Sequence, residues 1–461
     1  MKKLLYVIYA FALAACTTAP LEWVSTTCDS PWVQTMLPAD IQAEGTIVVD
    51  TDRYLHSIEG FGTCFNELGW ASLSELTAED RDGILKELFT PEGANLTMGR
   101  MPVGANDFSI RYYSYAEREG DFDLESFTIA HDGQYLIPFI KAAQSLNPGI
   151  KIWASPWCPP AWMKMNGHYA CAASCGNGLA EDKQIPEGTD AFILDERYLD
   201  CYARYFGKFI DAYKACGIDV FMVMPQNEPN SDQCFPSCTW TPYGLATFIK
   251  YLGPEMDKRG VDVYLGTIER ADPELWEHIL KDPDAGKHIK GMGFQWAGKD
   301  ALPALHERYP ELPCYQTEQE CGNGLNDWNG AMHSWDLMLH YLKNGVQSYF
   351  YWNTSLYEGG ISTWGWRQNS LVVVDKEKKT FRYTPEYYLM KHFSHYVQPG
   401  AKVLDLGDDA ADAIAFLNPD GKTVVAAANR SESEKGLEIR ISGRKSVVSL
   451  PAGSISTFLY Q

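Results

Sequence analysis

Short apolar runs that end on polar or aromatic residues recur along the chain at 58–66, 96–103, 150–157, 220–227, 261–268, 289–296, 312–317 and 346–353. Their length and β-branched content predict buried strands. Between them lie stretches of helical periodicity at 77–89, 135–146, 202–215, 243–259, 273–281 and 328–343. The first opens Thr77-Ala78-Glu79-Asp80, with acidic residues in its first turn, and repeats apolar residues at Ile84, Leu85 and Leu88. Acidic side chains there complement the helix dipole. Buried strands alternating with amphipathic helices predict a parallel sheet, and eight such units predict a closed (β/α)8 TIM barrel. An open doubly wound sheet is the alternative. No G-x-G-x-x-G follows the first run, where Gly60-Phe61-Gly62 leads into Thr63-Cys64-Phe65-Asn66 rather than a helix start.

After position 397 the pattern changes. Short β-like runs at 413–417, 423–428, 437–441 and 454–460 are separated by turns such as Asn418-Pro419-Asp420-Gly421. The run at 46–50 is placed to pair with them, so a small accessory β-sandwich built from both chain ends is expected beside the barrel. The resulting division is 1–15 as a signal peptide, 16–57 as an N-terminal segment of the β-domain, 58–395 as the barrel and 396–461 as the sandwich.

The first residues read as an export signal. Lys2 and Lys3 precede an apolar stretch over 4–15 that is too short to span a membrane. Leu13-Ala14-Ala15-Cys16, followed by Thr17 and Thr18, has the form of a bacterial lipobox. Lipidation of Cys16 and residence in the bacterial periplasm or on the outer membrane are the expectation, and Cys16 is the one membrane link expected. Export makes disulfides permissible. The close pairs Cys171/Cys175 and Cys234/Cys238 lack the Cys-x2-Cys and His spacing of a zinc site, which leaves loop disulfides or free thiols.

Composition narrows the partners. The net charge of −21 excludes the basic footprint of a nucleic-acid binder. Aromatic residues make up 13% of the chain, with 14 Trp and 26 Tyr, which suits either core packing or a cleft that stacks on sugar rings.

Catalytic side chains of a TIM barrel sit at the C-terminal ends of strands. The fourth run stops at Asn227-Glu228-Pro229, where a proline ends the ladder, and the seventh ends Thr317-Glu318-Gln319-Glu320. Two carboxylates across a cleft are what glycoside hydrolysis needs, one to protonate the leaving oxygen and one to attack or to activate water. Glu318 and Glu320 are two apart and share a face in an extended strand, so alternation does not choose between them.

Several ordered motifs carry a resemblance. They are GRMPVGANDFS at 99–109, ASPWCPPAWMK at 154–164, Asn227-Glu228-Pro229, Tyr351-Trp352-Asn353, Glu358-Gly359-Gly360, Asn369 with Val374-Asp375, and HFSHYVQPG at 392–400. From about 58 to 400 the chain resembles glycoside hydrolase family 30, and within it the glucosylceramidase branch. The resemblance implies a retaining enzyme that needs no metal or organic cofactor, with Glu228 as acid/base and Asn227 bonding the sugar 2-hydroxyl. The family places Ser or Thr before its nucleophile, which selects Glu318, with Glu320 as fallback. By the same carry-over Asp107 and Trp157 bond sugar hydroxyls, Trp352 floors the glycone subsite, Asn369 lies at its edge, and Arg100 lies beneath the nucleophile.

The chain departs from that pattern at Gln295 and Ala297, where glucosylceramidases carry His and Tyr, and in a Gly- and Cys-rich insertion over 166–190. Both put a lipid glucoside in question as substrate. A β-linked glucoside or glucan is expected, as for a β-glucosidase of glucosylceramidase type or a β-1,6-glucanase; a xylanase or fucosidase fits the motifs less well. A non-catalytic surface glycan-binding lipoprotein would keep the aromatic groove without the paired carboxylates. Neither a His-Glu-x-x-His metal motif nor a G-x-S-x-G elbow occurs, against a metallohydrolase and a serine hydrolase.

Overall fold

The computed structural model describes residues 19–34, 41–174, 176–407, 410 and 412–461. The export signal, Cys16 and Cys175 lie outside the described residues. Two compact units result, one of Leu55–Val403 and one that joins the described residues up to Tyr54 with Leu404–Gln461.

The larger unit is a closed barrel of eight parallel strands in sequential order. We label them β1 (Gly60–Cys64), β2 (Met98–Pro102), β3 (Lys151–Ser155), β4 (Val220–Val223), β5 (Asp262–Ile268), β6 (Ile289–Gln295), β7 (Cys314–Glu318) and β8 (Val346–Asn353). Each falls inside or within one residue of an apolar run in the sequence. Closure is made by β8 on β1, with Ser348 opposite Gly60 and Phe350 opposite Gly62. A side chain on Gly62 would bring its Cβ to 2.5 Å from Phe350 Cε1 and 2.6 Å from the Met98 carbonyl, so only glycine fits this seam.

The helices start where capping chemistry dictates. Thr77, Thr241, Asp327 and Thr384 each accept a backbone N–H from the first turn of the following helix. Pro242, Pro273 and Pro385 occupy the first helical position, where no N–H is needed. Four helices have no counterpart in the periodicity reading: Glu67–Ser74, Pro283–Gly286, Leu302–Arg308 and Pro385–Ser394. A small sheet of Ser355–Tyr357, Val372–Asp375 and Thr380–Tyr383 also follows β8.

The smaller unit is a β-sandwich. Its strand Ser454–Tyr460 pairs antiparallel with Glu22–Thr27 on one side and Thr423–Asn429 on the other, and Ala413–Leu417 adds to the latter. In a second sheet Ala43–Val49 runs parallel to Lys435–Ile441, which pairs antiparallel with Arg444–Leu450. Trp23, Val49, Val425, Ile439, Val448 and Phe458 are buried together as its core. The N-terminal segment thus supplies strands to both sheets.

Candidate active site

Strand ends converge on one cavity of about 300 Å3 at the C-terminal mouth of the barrel. Asp107, Trp157, Asn227, Glu228 and Glu318 line it, and the loops after β4, β5, β6 and β8 supply the rest of the wall.

Arg100 organises the floor. It is fully buried on β2, with its guanidinium 4.6 Å from the Trp157 ring centre, 5.0 Å from Trp153 and 5.1 Å from Trp352. Trp157 and Trp352 stack on each other at 5.2 Å. A buried cation among aromatic faces needs partners for its N–H groups; Nε–H has none among the described residues, and the two terminal nitrogens carry the bonding. Nη1 donates to Glu318 Oε2 at 2.8 Å and to the Thr317 carbonyl at 3.0 Å. Nη2 donates to Asn227 Oδ1 at 2.7 Å and Ser155 Oγ at 3.1 Å. One planar fork therefore ties β2 to the ends of β4 and β7.

Gln295, at the end of β6, is a second hub. Its amide nitrogen donates to Glu228 Oε1 at 2.9 Å, to Asn227 Oδ1 at 3.2 Å and to Glu318 Oε2 at 3.3 Å. Thr317 Oγ1 donates to its Oε1 at 2.8 Å and fixes the amide orientation. The two glutamates thus face each other across a single nitrogen. Trp296 adds an Nε1–H bond to Glu318 Oε1 at 3.3 Å.

Glu228 and Trp296 both hold left-handed backbone, each with φ of 48°. Such a turn is costly for residues with a Cβ and recurs at functional sites. The Glu228 N–H is held by Thr267 Oγ1 at 3.0 Å, which stabilises the turn after β4.

Burial pushes both carboxyls above the usual carboxylate range, and the Arg100 charge pulls both back. The negative charge of Glu228 pushes Glu318 up further. Two buried carboxyls this close disfavour each other's charge, so their titrations are coupled. Asp107 is likewise pushed up, first by burial and then by the charges of Glu318 and Glu228, and its buried Oδ1 has no partner among the described residues.

The other residues singled out from the sequence lie elsewhere. Glu320 points away from the cavity and pairs with Lys299 at 2.9 Å and His333 at 3.0 Å. Trp352 is 1% exposed beneath Trp157 rather than in the cavity wall. Asn369 staples loops together: its Oδ1 accepts from Gly324 N at 2.9 Å and Asn326 N at 3.1 Å, and its amide donates to the buried Glu386 at 2.5 Å. It does not line the cavity.

Several wall residues escaped the sequence reading: Ser231, Gln233, Phe235, Glu269, Arg270 and Trp366. For Glu269 and Arg270 a signal existed, since they directly follow the fifth apolar run. Among the described residues no cluster of His, Cys, Asp and Glu has metal-binding geometry.

A (β/α)8 barrel with two glutamates at the ends of β4 and β7 has the layout of a glycoside hydrolase. The glycosyl hydrolase family 30 TIM-barrel domain model matches residues 58–397, and the family 30 β-sandwich domain model matches 400–458. The chain belongs to glycoside hydrolase family 30, whose members are O-glycosyl hydrolases. It is 30% identical to a putative glucosylceramidase of Caenorhabditis elegans over 85% of this chain and 77% of the relative. It is 27% identical to an endo-1,6-β-D-glucanase of Aspergillus fumigatus over 90% of this chain and 87% of the relative. A solved endo-β1,6-glucanase superposes with a TM-score of 0.81 at 24% identity, covering 96% of this chain and 99% of that one, a likeness of fold.

Proposed function

We propose that the protein is a retaining β-glycosidase that cleaves β-glucosidic linkages by double displacement, with Glu318 as nucleophile and Glu228 as acid/base. The observation that carries this reading is the Gln295 amide nitrogen shared by the two carboxylates. Bonds of 2.9 and 3.3 Å to one nitrogen bring an oxygen of each carboxyl close together, which favours a retaining pair at about 5–5.5 Å over an inverting pair at about 6.5–9.5 Å.

Hydrogen bonding assigns the two roles. Glu318 receives Arg100, Trp296 and Gln295; these donors favour its charged form against the burial that pushes it up to about 7, so Glu318 is assigned the nucleophile's charge and Glu228 the acid's proton. Glu318 attacks the anomeric carbon as Glu228 passes its proton to the departing oxygen. Once Glu318 is esterified its charge is gone, and the carboxylate left on Glu228 accepts a proton from the water that attacks the same carbon. Release of the sugar restores both groups, and water is the only co-reactant.

Three donors, from Arg100, Gln295 and Thr267, occupy Asn227 Oδ1, which leaves its amide N–H groups for the sugar 2-hydroxyl. Asp107, whose buried Oδ1 is unmet, is assigned as an acceptor for other glycone hydroxyls. The β-glucosidic choice draws on the relatives named as glucosylceramidases and endo-1,6-β-glucanases. A β-1,6-glucanase is the second reading within the same chemistry. A non-catalytic glycan-binding role has no use for a charge-tuned carboxylate pair. Glu228→Gln is expected to lower kcat/KM on an unactivated β-glucoside by about 10²–10⁴-fold, and less on an aryl glucoside whose leaving group needs little protonation. Full activity of that variant on the unactivated substrate refutes the assignment.

A further inference from the structure

The cavity is asymmetric about Glu228. On the β2 and β3 side lie Asp107 and Trp157; on the other side the wall comes from the loops after β4 and β5. An acid/base protonates the bond between glycone and leaving group, so the leaving group departs over the β4 and β5 loops. The wall there is formed by Ser231, Gln233, Phe235, Glu269 and Arg270.

Four of these five side chains are polar, and two of them are unusual. Glu269 is 1% exposed; its Oε1 accepts from Asn230 N at 2.6 Å and Ser231 Oγ at 3.4 Å, while Oε2 has no partner among the described residues. An unmet buried carboxyl oxygen is costly, and a hydroxyl placed against it recovers that cost. Burial, with the Glu228 charge second, pushes this carboxyl up to about 8. In its protonated form it can donate as well as accept. Arg270 is fixed by two bonds to Glu187 of the 166–190 insertion, at 2.9 and 2.8 Å, and by Nη2 to the Asn230 carbonyl at 2.8 Å. Its Nη1 makes only a 3.4 Å contact with the Glu269 carbonyl, which leaves donor capacity. The buried Phe235 ring adds an apolar face.

We infer that the loops after β4 and β5 form a subsite for a hydroxyl-rich leaving group, a second sugar residue, in which Arg270, Glu269 and Gln233 hydrogen-bond its hydroxyls. A ceramide offers there one amide and one hydroxyl before its two hydrocarbon chains, fewer partners than a second sugar gives an arginine, a carboxyl and a glutamine. The insertion, absent from the resembling motifs, acts here through Glu187 by holding Arg270 in position. The substrate class is then a β-linked oligo- or polysaccharide rather than a lipid glucoside.

This inference rests on the β-glucosidase reading, and one experiment separates the two. Wild type, Gln233→Ala and Arg270→Gln are compared on an aryl β-glucoside, on a panel of β-linked glucose disaccharides and on glucosylceramide in detergent micelles, with melting temperature as a check of folding. The ratio of kcat/KM on the best disaccharide to that on the aryl glucoside is expected to fall at least 10-fold in each variant. Wild type is expected to prefer that disaccharide to glucosylceramide. A ratio unchanged within twofold in folded variants, or a preference for glucosylceramide, overturns the sugar subsite and leaves the β-glucosidase reading standing. Failure of wild type on every β-glucoside, the aryl one included, overturns that reading and the subsite with it.

Discussion

At the residue scale the site depends on two hubs: Arg100 bonds Glu318, Asn227 and Gln295, and Gln295 bonds both carboxylates and Asn227. Arg100 supplies the positive charge that lets Glu318 ionise in a buried setting. Replacing it by Gln removes that charge, so the Glu318 pKa rises, and activity that needs the ionised form is lost at a higher pH on the acid side. The acid limb of kcat/KM in Arg100→Gln is expected to move up by about one pH unit or more, with a loss of about 10²-fold at the optimum. An unmoved limb with lowered activity would reduce Arg100 to packing. How much of this was legible differs by residue. Asn227 and Glu228 stand out because a proline stops an apolar strand directly after them. Gln295 was visible only as a departure from a family pattern, because three simultaneous hydrogen bonds cannot be seen in one letter. Asn369 sat in a matching motif, yet its amide is spent on Gly324, Asn326 and Glu386; a buried asparagine that staples loops and one that binds sugar look alike in sequence.

At the scale of elements, the eight strands were readable because a parallel barrel buries both strand faces and leaves continuous apolar runs. Helices Glu67–Ser74 and Leu302–Arg308 were not, being too short for periodicity to accumulate. Nor was the sheet after β8, whose first strand, Ser355–Tyr357, pairs across a long loop with Val372–Asp375. The β8–β1 seam gives a direct check. Gly62→Ala places a methyl against Phe350 and the Met98 backbone, which cannot retreat. A loss of about 1–3 kcal/mol or more is expected, measured by chemical denaturation. Stability within error of wild type would mean the seam is looser than described.

At the scale of the whole molecule, several carboxyls among the described residues are buried deeply enough to be shifted. Burial pushes Glu386 up to about 7 and Glu269 up to about 8. In the folded chain each keeps its proton at a pH where the unfolded chain has lost it. The stability they contribute is complete below the unfolded pKa and is lost as pH rises through the folded one. Buried His56 and His392, pushed down to about 4 and about 3, act in the opposite sense, but only below their unfolded pKa of about 6.5. Between about pH 6.5 and 8 the carboxyls therefore set the slope, and the net charge of −21 adds self-repulsion to it. The melting temperature is expected to fall over that window, and Glu269→Gln to flatten the fall. A melting temperature that rises from pH 6.5 to 8 would show that these groups ionise freely in the folded protein.

Double displacement passes through a covalent bond to one glutamate, and that bond can be trapped. A 2-deoxy-2-fluoro-β-glucosyl fluoride slows breakdown of the intermediate more than its formation, so the labelled protein can be digested and its peptides sequenced by mass spectrometry. One added fluoroglucosyl group per chain is expected, on Glu318. A label on Glu320, or turnover with no trapped species and an α-configured first product, would contradict it.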